Sequence, residues 1–367
     1  MLHGLFLDPR IWKIDFQTSP FWKPEKFGVN IDLHPNAFHI PKMGVDDKYK
    51  FVIATEVWEL PIQKTLEYLR NKGLKIILVP RELAPGKTHK ATMFADERFK
   101  YKNQYYCKPD IVLAPGERYH SMWEDKVESK IIGYPRFDIY LRKDLWPTRE
   151  SIIRKHGLEK DKKIIYFPSY PPYHVETVNG QNTLIDAYDD LQNTMRVLEQ
   201  YAIKHKDEVQ VVVKIHPMSM KCYLKGIGPG REVAGLMEKY YKHPTKYMKV
   251  IGDNRLDSGV AREMIMVSDL VIGYVSMMML EAVINDKPVI HTLFKQGRKL
   301  TNALEFHHDM HTVYEPSEVN NALDIALHSN KMVLKDKKIV EYVLYKVDGK
   351  FCKRLCTEIK KLLCDIT

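Results

Sequence analysis

Short apolar runs, each followed by an amphipathic stretch, recur along most of this chain. This constrains its fold more than any other feature. The first set is KFVIAT (50–55), LKIILVP (74–80), PDIVLAP (109–115) and SKIIGYP (129–135). The second is KKIIYFPSY (162–170), VQVVVKIHP (209–217), KYMKVIG (246–252), LVIGY (270–274) and KPVIHTL (287–293). Runs apolar throughout and closed by Pro or Gly are strands buried on both faces. Between them lie helical patterns such as LPIQKTLEYLRNKG (60–73), DAYDDLQNTMRVLEQYAIKH (186–205) and VAREMIMVSD (260–269). Strand–helix alternation is the signature of parallel βαβ units. With 367 residues, the pattern divides into two α/β domains near a charged helix and turn at 140–162. We expect domains at 1–145 and 146–335, with a C-terminal helix in 336–367. Two doubly wound domains facing each other enclose a cleft at the carboxyl ends of their strands, where such sheets bind ligands. Residues 1–50 lack clean periodicity; their aromatics, Trp12, Phe16, Phe21, Trp22 and Phe38, are expected to line a core.

Four segments carry candidate chemistry. VVVKIHP delivers Lys214 and His216 at a strand's carboxyl end. There a histidine can bind a phosphate oxygen or protonate a leaving group; the plain alternative is a strand-end residue beside a turn-forming proline. In DLVIGYVSMMMLEAVINDKPVI (269–290), Ser276 stands at the start of a helix and Glu281 five residues on. Helix N-termini offer free N–H donors to phosphate. Glu281 can accept from a ribose or sugar hydroxyl. Alternatively Ser276 is an N-cap only and Glu281 a first-turn charge. Met277, Met278 and Met279 read as core. In IIYFPSYPP (164–172), Ser169 can donate to a phosphate. In IIGYPRFD (131–138), Arg136 and Asp138 fit a surface turn at an interdomain hinge. Lys295 and Arg298, in HTLFKQGRK, can add positive charge or form an ordinary basic loop.

The order GYPRFD, YFPSY, KIHP, SDLVIGYVSMMMLEAVINDKPVI and VDGKFCKRL resembles the CDP-glycerol glycerophosphotransferase (teichoic-acid polymerase) family and related surface-polysaccharide transferases, over about 130–355. The resemblance implies a GT-B-like α/β fold of two Rossmann-like domains. The N-terminal one would serve the acceptor and the C-terminal one the nucleotide donor. It implies donor-phosphate contact by His216 and a pyrophosphate contact by Ser276, with Glu281 as the acidic residue beyond it. Asp348, Gly349, Lys350 and Arg354 match its C-terminal Asp-Gly-Lys…Arg segment. Two departures stand out. The family's Asp-Tyr-Ser-Ser run reads Tyr274-Val275-Ser276-Met277 here. Its His-Gly pair, where a general base is expected, is replaced by LVPRELAPGKTHK. Glu82 is the replacement base we expect, with His89, Glu56 and Glu59 as further candidates. Catalysis is thus assigned to Glu82 and His216, and leaving-group stabilisation to Lys214, His216 and Ser276. The sequence calls for no tightly bound cofactor and no metal; the nucleotide-activated donor, CDP- or UDP-linked, is a substrate.

Charge bears on the partners. Fifty-seven basic against 47 acidic side chains leave +10, which favours an anionic partner without choosing one. One reading is transfer of a sugar or alditol phosphate to a hydroxyl of an anionic polymer or glycan, with peripheral membrane contact. A second is glycosylation of hydroxymethylated DNA bases. It draws on basic residues among aromatics over 81–108. A third is a non-catalytic polyanion-binding protein on the same fold, and a sugar-nucleotide epimerase is a further enzyme alternative. No run nears ~18 apolar residues, and the start reads as no signal peptide. Five scattered cysteines suggest a reducing, cytoplasmic setting.

Overall fold

The computed structural model describes the chain apart from residues 9–11, 35–39, 56–59, 81–99, 102–103, 106, 126, 171–172, 179–180, 226–237, 243–244, 253–258, 275, 296–309, 330–336 and 365–367. The described residues form two compact units. One holds the N-terminal part through Asp144 together with Lys338–Thr367; the other holds Leu145–Lys337.

The first unit is built on β1 (Leu2–Phe6), β2 (Val29–Leu33), β3 (Tyr49–Ala54), β4 (Lys75–Leu78), β7 (Ile111–Ala114) and β8 (Ser129–Ile131), with helix α1 (Leu60–Asn71) between β3 and β4. Two-residue strands β5 (Lys100–Tyr101) and β6 (Gln104–Tyr105) form a separate hairpin. The sheet order is β2-β1-β3-β4-β7-β8, parallel throughout. Residues 1–50 therefore do more than line a core: they supply β1 and β2, and β1 is an internal strand. Its apolar run is interrupted by His3 and Gly4. The glycine is required, because a Cβ there would lie 2.1 Å from Cε2 of the buried Phe51 ring. Phe6 then packs tilted on Trp12 and edge to face on Phe16, and the Trp12 and Phe16 rings lie parallel, at centroid distances of 4.8–6.3 Å.

The second unit opens with α2 (Arg149–His156), capped by Thr148, whose Oγ1 accepts from the Ser151 N–H, and by Gly157 in the left-handed conformation (φ 60°). Then follow β9 (Lys163–Pro168), the antiparallel hairpin β10 (Tyr173–Val178) and β11 (Gln181–Asp186), α3 (Tyr188–Lys204), β12 (Val209–Lys214), α4 (Pro217–Lys225), β13 (Met248–Ile251), α5 (Val260–Val267), β14 (Leu270–Gly273), α6 (Met277–Ile284), β15 (Val289–Thr292), β16 (His311–Val313) and α7 (Val319–His328). The parallel sheet runs β13-β12-β9-β14-β15-β16. This is the doubly wound dinucleotide-fold order, with its switch point between β9 and β14. Both faces are covered. Val211, Val213, Ile165 and Phe167 are fully buried, with Leu198 and Tyr201 of α3 in the same cluster. Each aliphatic side chain so removed from water contributes about 1.5–3 kcal/mol.

Helices α8 (Lys338–Leu344) and α9 (Phe351–Cys364) belong to the first unit. Phe351 stacks edge-on against Phe16 (5.7 Å), and Cys352 and Cys356 are buried beside it. The α8 backbone approaches Gly116 so closely that a Cβ there would sit 2.5 Å from the Val343 carbonyl. No helix among the described residues is long and apolar enough to cross a membrane.

Candidate functional site

Ser169, Lys214, His216 and Ser276 stand at the carboxyl ends of the second sheet's strands. β12 is buried on both faces, with four valines around Gln210, and carries Lys214 in with it. Lys214 is only 6% exposed. The loop beyond β9 turns back onto β12: the Ser169 N–H donates to the Lys214 carbonyl (2.9 Å), and Ser169 Oγ accepts from the His216 N–H (2.9 Å). Ser169, Lys214 and His216 thus form one hydrogen-bonded corner. The His216 carbonyl accepts from the Met220 N–H (3.0 Å). His216 is therefore the N-cap of α4, half-buried, with Pro217 at the first helical position.

β14 lies on the other side of β9. Ser276 caps α6, its Oγ accepting from the Met278 N–H (3.2 Å). This end is close-packed: a Cβ on Gly273 would make ordinary contact, at 3.7 Å, with Pro168 of β9 and Met279 of α6. Two helix N-termini, those of α4 and α6, therefore follow the strands that flank β9, on either side of Ser169. Helix N-termini carry free backbone N–H donors, the chemistry that suits an anion.

Glu281 sits differently. It is fully buried, and its Oε2 lies 3.7 Å from Nε of Arg262 on α5. It also raises the Tyr166 hydroxyl, which burial has already pushed far up. Its observed contacts fasten α6 to α5. Lys295 is exposed, two residues beyond Leu293 in the loop after β15. Arg298, Glu82, His89, Glu56 and Glu59 lie outside the described residues.

Arg136 and Asp138 belong to the first unit. Arg136 Nη1 lies 3.6 Å from Oδ1 of the buried Asp15, whose Oδ2 accepts from the Tyr134 hydroxyl (3.0 Å). Asp138 is 1% exposed and accepts from the Gly349 N–H (3.0 Å). Burial pushes its carboxyl up to about 7, against the opposing effect of that hydrogen bond. Asp348 pairs with Arg354 through two 2.9 Å contacts, and Arg354 Nε donates to the Ile132 carbonyl. The GYPRFD and DGK segments, far apart in sequence, are thus packed together.

A row of aromatic side chains at the second unit's edge was not singled out from the sequence. Tyr170, Tyr274 and His291 follow or end three neighbouring strands. The Tyr170 and Tyr274 rings are 4.7 Å apart, and the Tyr274 and His291 rings 6.4 Å. The available signal was an aromatic or imidazole at the end of each run, in YFPSY, LVIGY and VIHTL. Among the described residues, no group of three or more His, Cys, Asp or Glu side chains is placed to hold a metal ion.

No family model matches the sequence, and no curated protein matches it. Solved structures do match along nearly the whole chain. The UDP co-structure of S. aureus MnaA has a TM-score of 0.60 at 14% identity, covering 99% of this chain and 97% of that one. A putative UDP-N-acetylglucosamine 2-epimerase from Listeria monocytogenes gives 0.61 at 12%, covering 98% and 96%. A variant of the wall teichoic acid polymerase TagF soaked with CDPG gives 0.58 at 11%, covering 99% and 89%. At these identities the likeness is one of fold. The chain has a GT-B-like fold of two Rossmann-like units, resembling in fold the teichoic acid polymerase, MnaA and the Listeria protein.

Proposed function

We propose that this protein is a nucleotide-donor-dependent transferase, with the donor held at the carboxyl edge of the second unit's sheet. The observation that carries the reading is the corner in which Ser169 joins Lys214 to His216 beside two helix N-termini. In this reading the helix ends and Lys214 oppose the charge of a diphosphate, and Ser169 and Ser276 supply hydroxyls to its oxygens. His216 serves to contact the phosphate that departs, and Lys295 and Arg298 are the basic residues that the sequence offers as further donor contacts. The donor is CDP- or UDP-linked, and the transferred group is a sugar or alditol phosphate. The acceptor is a hydroxyl of an anionic polymer or glycan, in keeping with the +10 charge. The first unit serves the acceptor. The residue that the sequence offers as its proton acceptor, in place of the family's His-Gly pair, is Glu82.

Thermal unfolding with UDP, CDP, GDP and CMP tests the donor site. A ligand at 100 times its Kd stabilises the native state by about 2.7 kcal/mol. One nucleotide is expected to raise the melting temperature, and His216→Ala is expected to weaken its binding roughly tenfold, the scale of one charge-assisted hydrogen bond. No shift with any nucleotide overturns the reading. Incubating the binding nucleotide's N-acetylglucosamine or glycerol conjugate without acceptor separates the alternatives. Epimerised donor favours the epimerase, and intact donor with tight polyanion binding favours the non-catalytic protein. Duplex DNA carrying hydroxymethylated bases is the acceptor arm for the DNA reading.

A further inference from the structure

Each unit has its own switch point, and the one in the first unit holds chemistry that the proposed function leaves unused. The order β2-β1-β3-β4 reverses direction between β1 and β3, and ligands of open α/β sheets bind outside the carboxyl ends of strands at such a point. Three polar residues follow the three neighbouring strands there: His34 after β2, Asp8 after β1 and Thr55 after β3. Their backbones are fixed. The Leu7 N–H donates to the Ile53 carbonyl (3.1 Å), the His34 N–H to the Phe6 carbonyl (3.0 Å), and the Trp12 N–H to the Asp8 carbonyl (2.9 Å). The side chains are ordered too. Thr55, 3% exposed, donates from Oγ1 to Asp8 Oδ2 at 3.1 Å. Asp8 itself is half-buried, and its Oδ2 is held by Thr55. Nδ1 of His34 is buried with no hydrogen-bond partner among the described residues, and burial lowers this imidazole's pKa.

The charges around Asp8 place the GYPRFD motif in the same neighbourhood. Burial raises the Tyr134 hydroxyl far up, Asp15 adds to this, and the negative charge of Asp8 contributes as well, while Arg136 opposes it. Asp8, Asp15, Tyr134 and Arg136 therefore share one electrostatic environment. Asp15 is buried and engaged with Tyr134 and Arg136. Of the two carboxylates, Asp8 is the less buried.

We infer that Asp8 is the general base of the acceptor site, with Thr55 as its positioning residue. This rests on the transferase reading above. The acceptor hydroxyl gives its proton to the Asp8 carboxylate as its oxygen bonds to the transferred group. The bond from that group to the nucleotide's phosphate oxygen breaks, and that oxygen keeps the electron pair. Thr55 holds one carboxylate oxygen, which fixes the direction in which Asp8 accepts. The substrate class is a polyol or sugar hydroxyl, whose proton needs a base as it attacks.

The test uses the full chain with UDP-N-acetylglucosamine and CDP-glycerol as donors and glycerol as the acceptor probe, reading nucleotide release. Asp8→Ala is expected to cut release roughly 100-fold or more, while the nucleotide-induced melting shift stays as in the unaltered protein. Added formate is expected to restore part of the rate in Asp8→Ala, a recovery that a purely structural residue does not show. Thr55→Val, which keeps the carboxylate, covers the case in which Asp8→Ala does not fold. It is expected to lower the rate about tenfold with an unchanged donor KM. Unchanged release in both variants, with normal nucleotide binding, overturns the Asp8 assignment and leaves the donor reading standing. Glu82→Gln losing the rate while Asp8→Ala keeps it does the same, in favour of Glu82. Nucleotide binding without release from either donor overturns the base role, and no nucleotide binding at all overturns both inferences.

Discussion

The two sheets of this protein have similar architecture and opposite chemistry at their carboxyl edges. Each is six-stranded, parallel and doubly wound, and each reverses direction beside a strand that opens its unit's sheet. At the second unit's switch point the strands end in Ser169, Lys214, His216 and Ser276, and two helices begin there. At the first unit's switch point they end in Asp8, Thr55 and His34, with Asp15 behind them. One edge carries two serines, a histidine and a buried lysine; the other carries an aspartate, a threonine and a histidine. The backbone topology chooses where a ligand can sit, and a few side chains at the strand ends choose what it can be. The same scaffold can thus offer one edge to a phosphate and another to a hydroxyl.

The contrast can be broken at its supports. The largest expected effect is at Arg262, which faces the fully buried Glu281. Arg262→Met leaves that carboxylate without its guanidinium, and breaking a buried pair costs about 3–5 kcal/mol. The denaturation midpoint should fall accordingly, and Arg262→Met/Glu281→Gln should recover much of the loss. A double variant no better than the single would mean that the pair does not anchor α6.

Next comes the pH dependence of the first unit. The Asp138 carboxyl is raised to about 7 by burial, so folding favours its protonated form. Its contribution to stability is present at acid pH and is lost as pH rises from the unfolded carboxyl range through about 7. Asp138→Asn keeps an oxygen for the Gly349 N–H and removes the buried charge. Relative to Asp138→Asn, the unaltered protein should lose up to about 1.4 kcal/mol per pH unit between pH 4 and 7. The difference should be flat above that. Urea midpoints from pH 4 to 8 measure it, and a constant difference across the range would refute the buried-charge account.

The smallest effect is at Ser276. Ser276→Ala removes the cap of α6 and should cost about 1 kcal/mol, read as a lower melting temperature. If nucleotide binding is also weakened by more than the stability change explains, the hydroxyl reaches the ligand as well as the Met278 N–H.

Much of the second unit was legible because its strands are buried on both faces. VVVKIHP, LVIGY and KPVIHTL read directly as strands, and the helices between them as amphipathic segments. The β10–β11 hairpin escapes such a reading because its strands carry His174, Glu176, Thr177, Asn182 and Thr183, leaving no apolar run. The dipeptide Asn179–Gly180 between them was the cue to look for. β1 escapes for a related reason: five residues interrupted by Gly4 look like a loop until Phe51 is laid across them. The site was legible in its residue types and not in its contacts. Ser169 and His216 stand 47 positions apart, and only the parallel pairing of β9 with β12 brings them within hydrogen-bond reach. Asp8 had no motif to announce it. Its significance comes from its strand being internal, which the sequence pattern did not reveal.

The packing of Phe351 against Phe16 has a bearing on how the chain is made. Leu145–Lys337 is contiguous, so the second unit has its whole sequence in hand before the residues that close the first have been synthesised. The first unit must wait with the Phe16 face uncovered until α9 arrives. Nascent chains ordinarily complete their domains from the N-terminus onward. Here the order is inverted, and the unit that begins first finishes last.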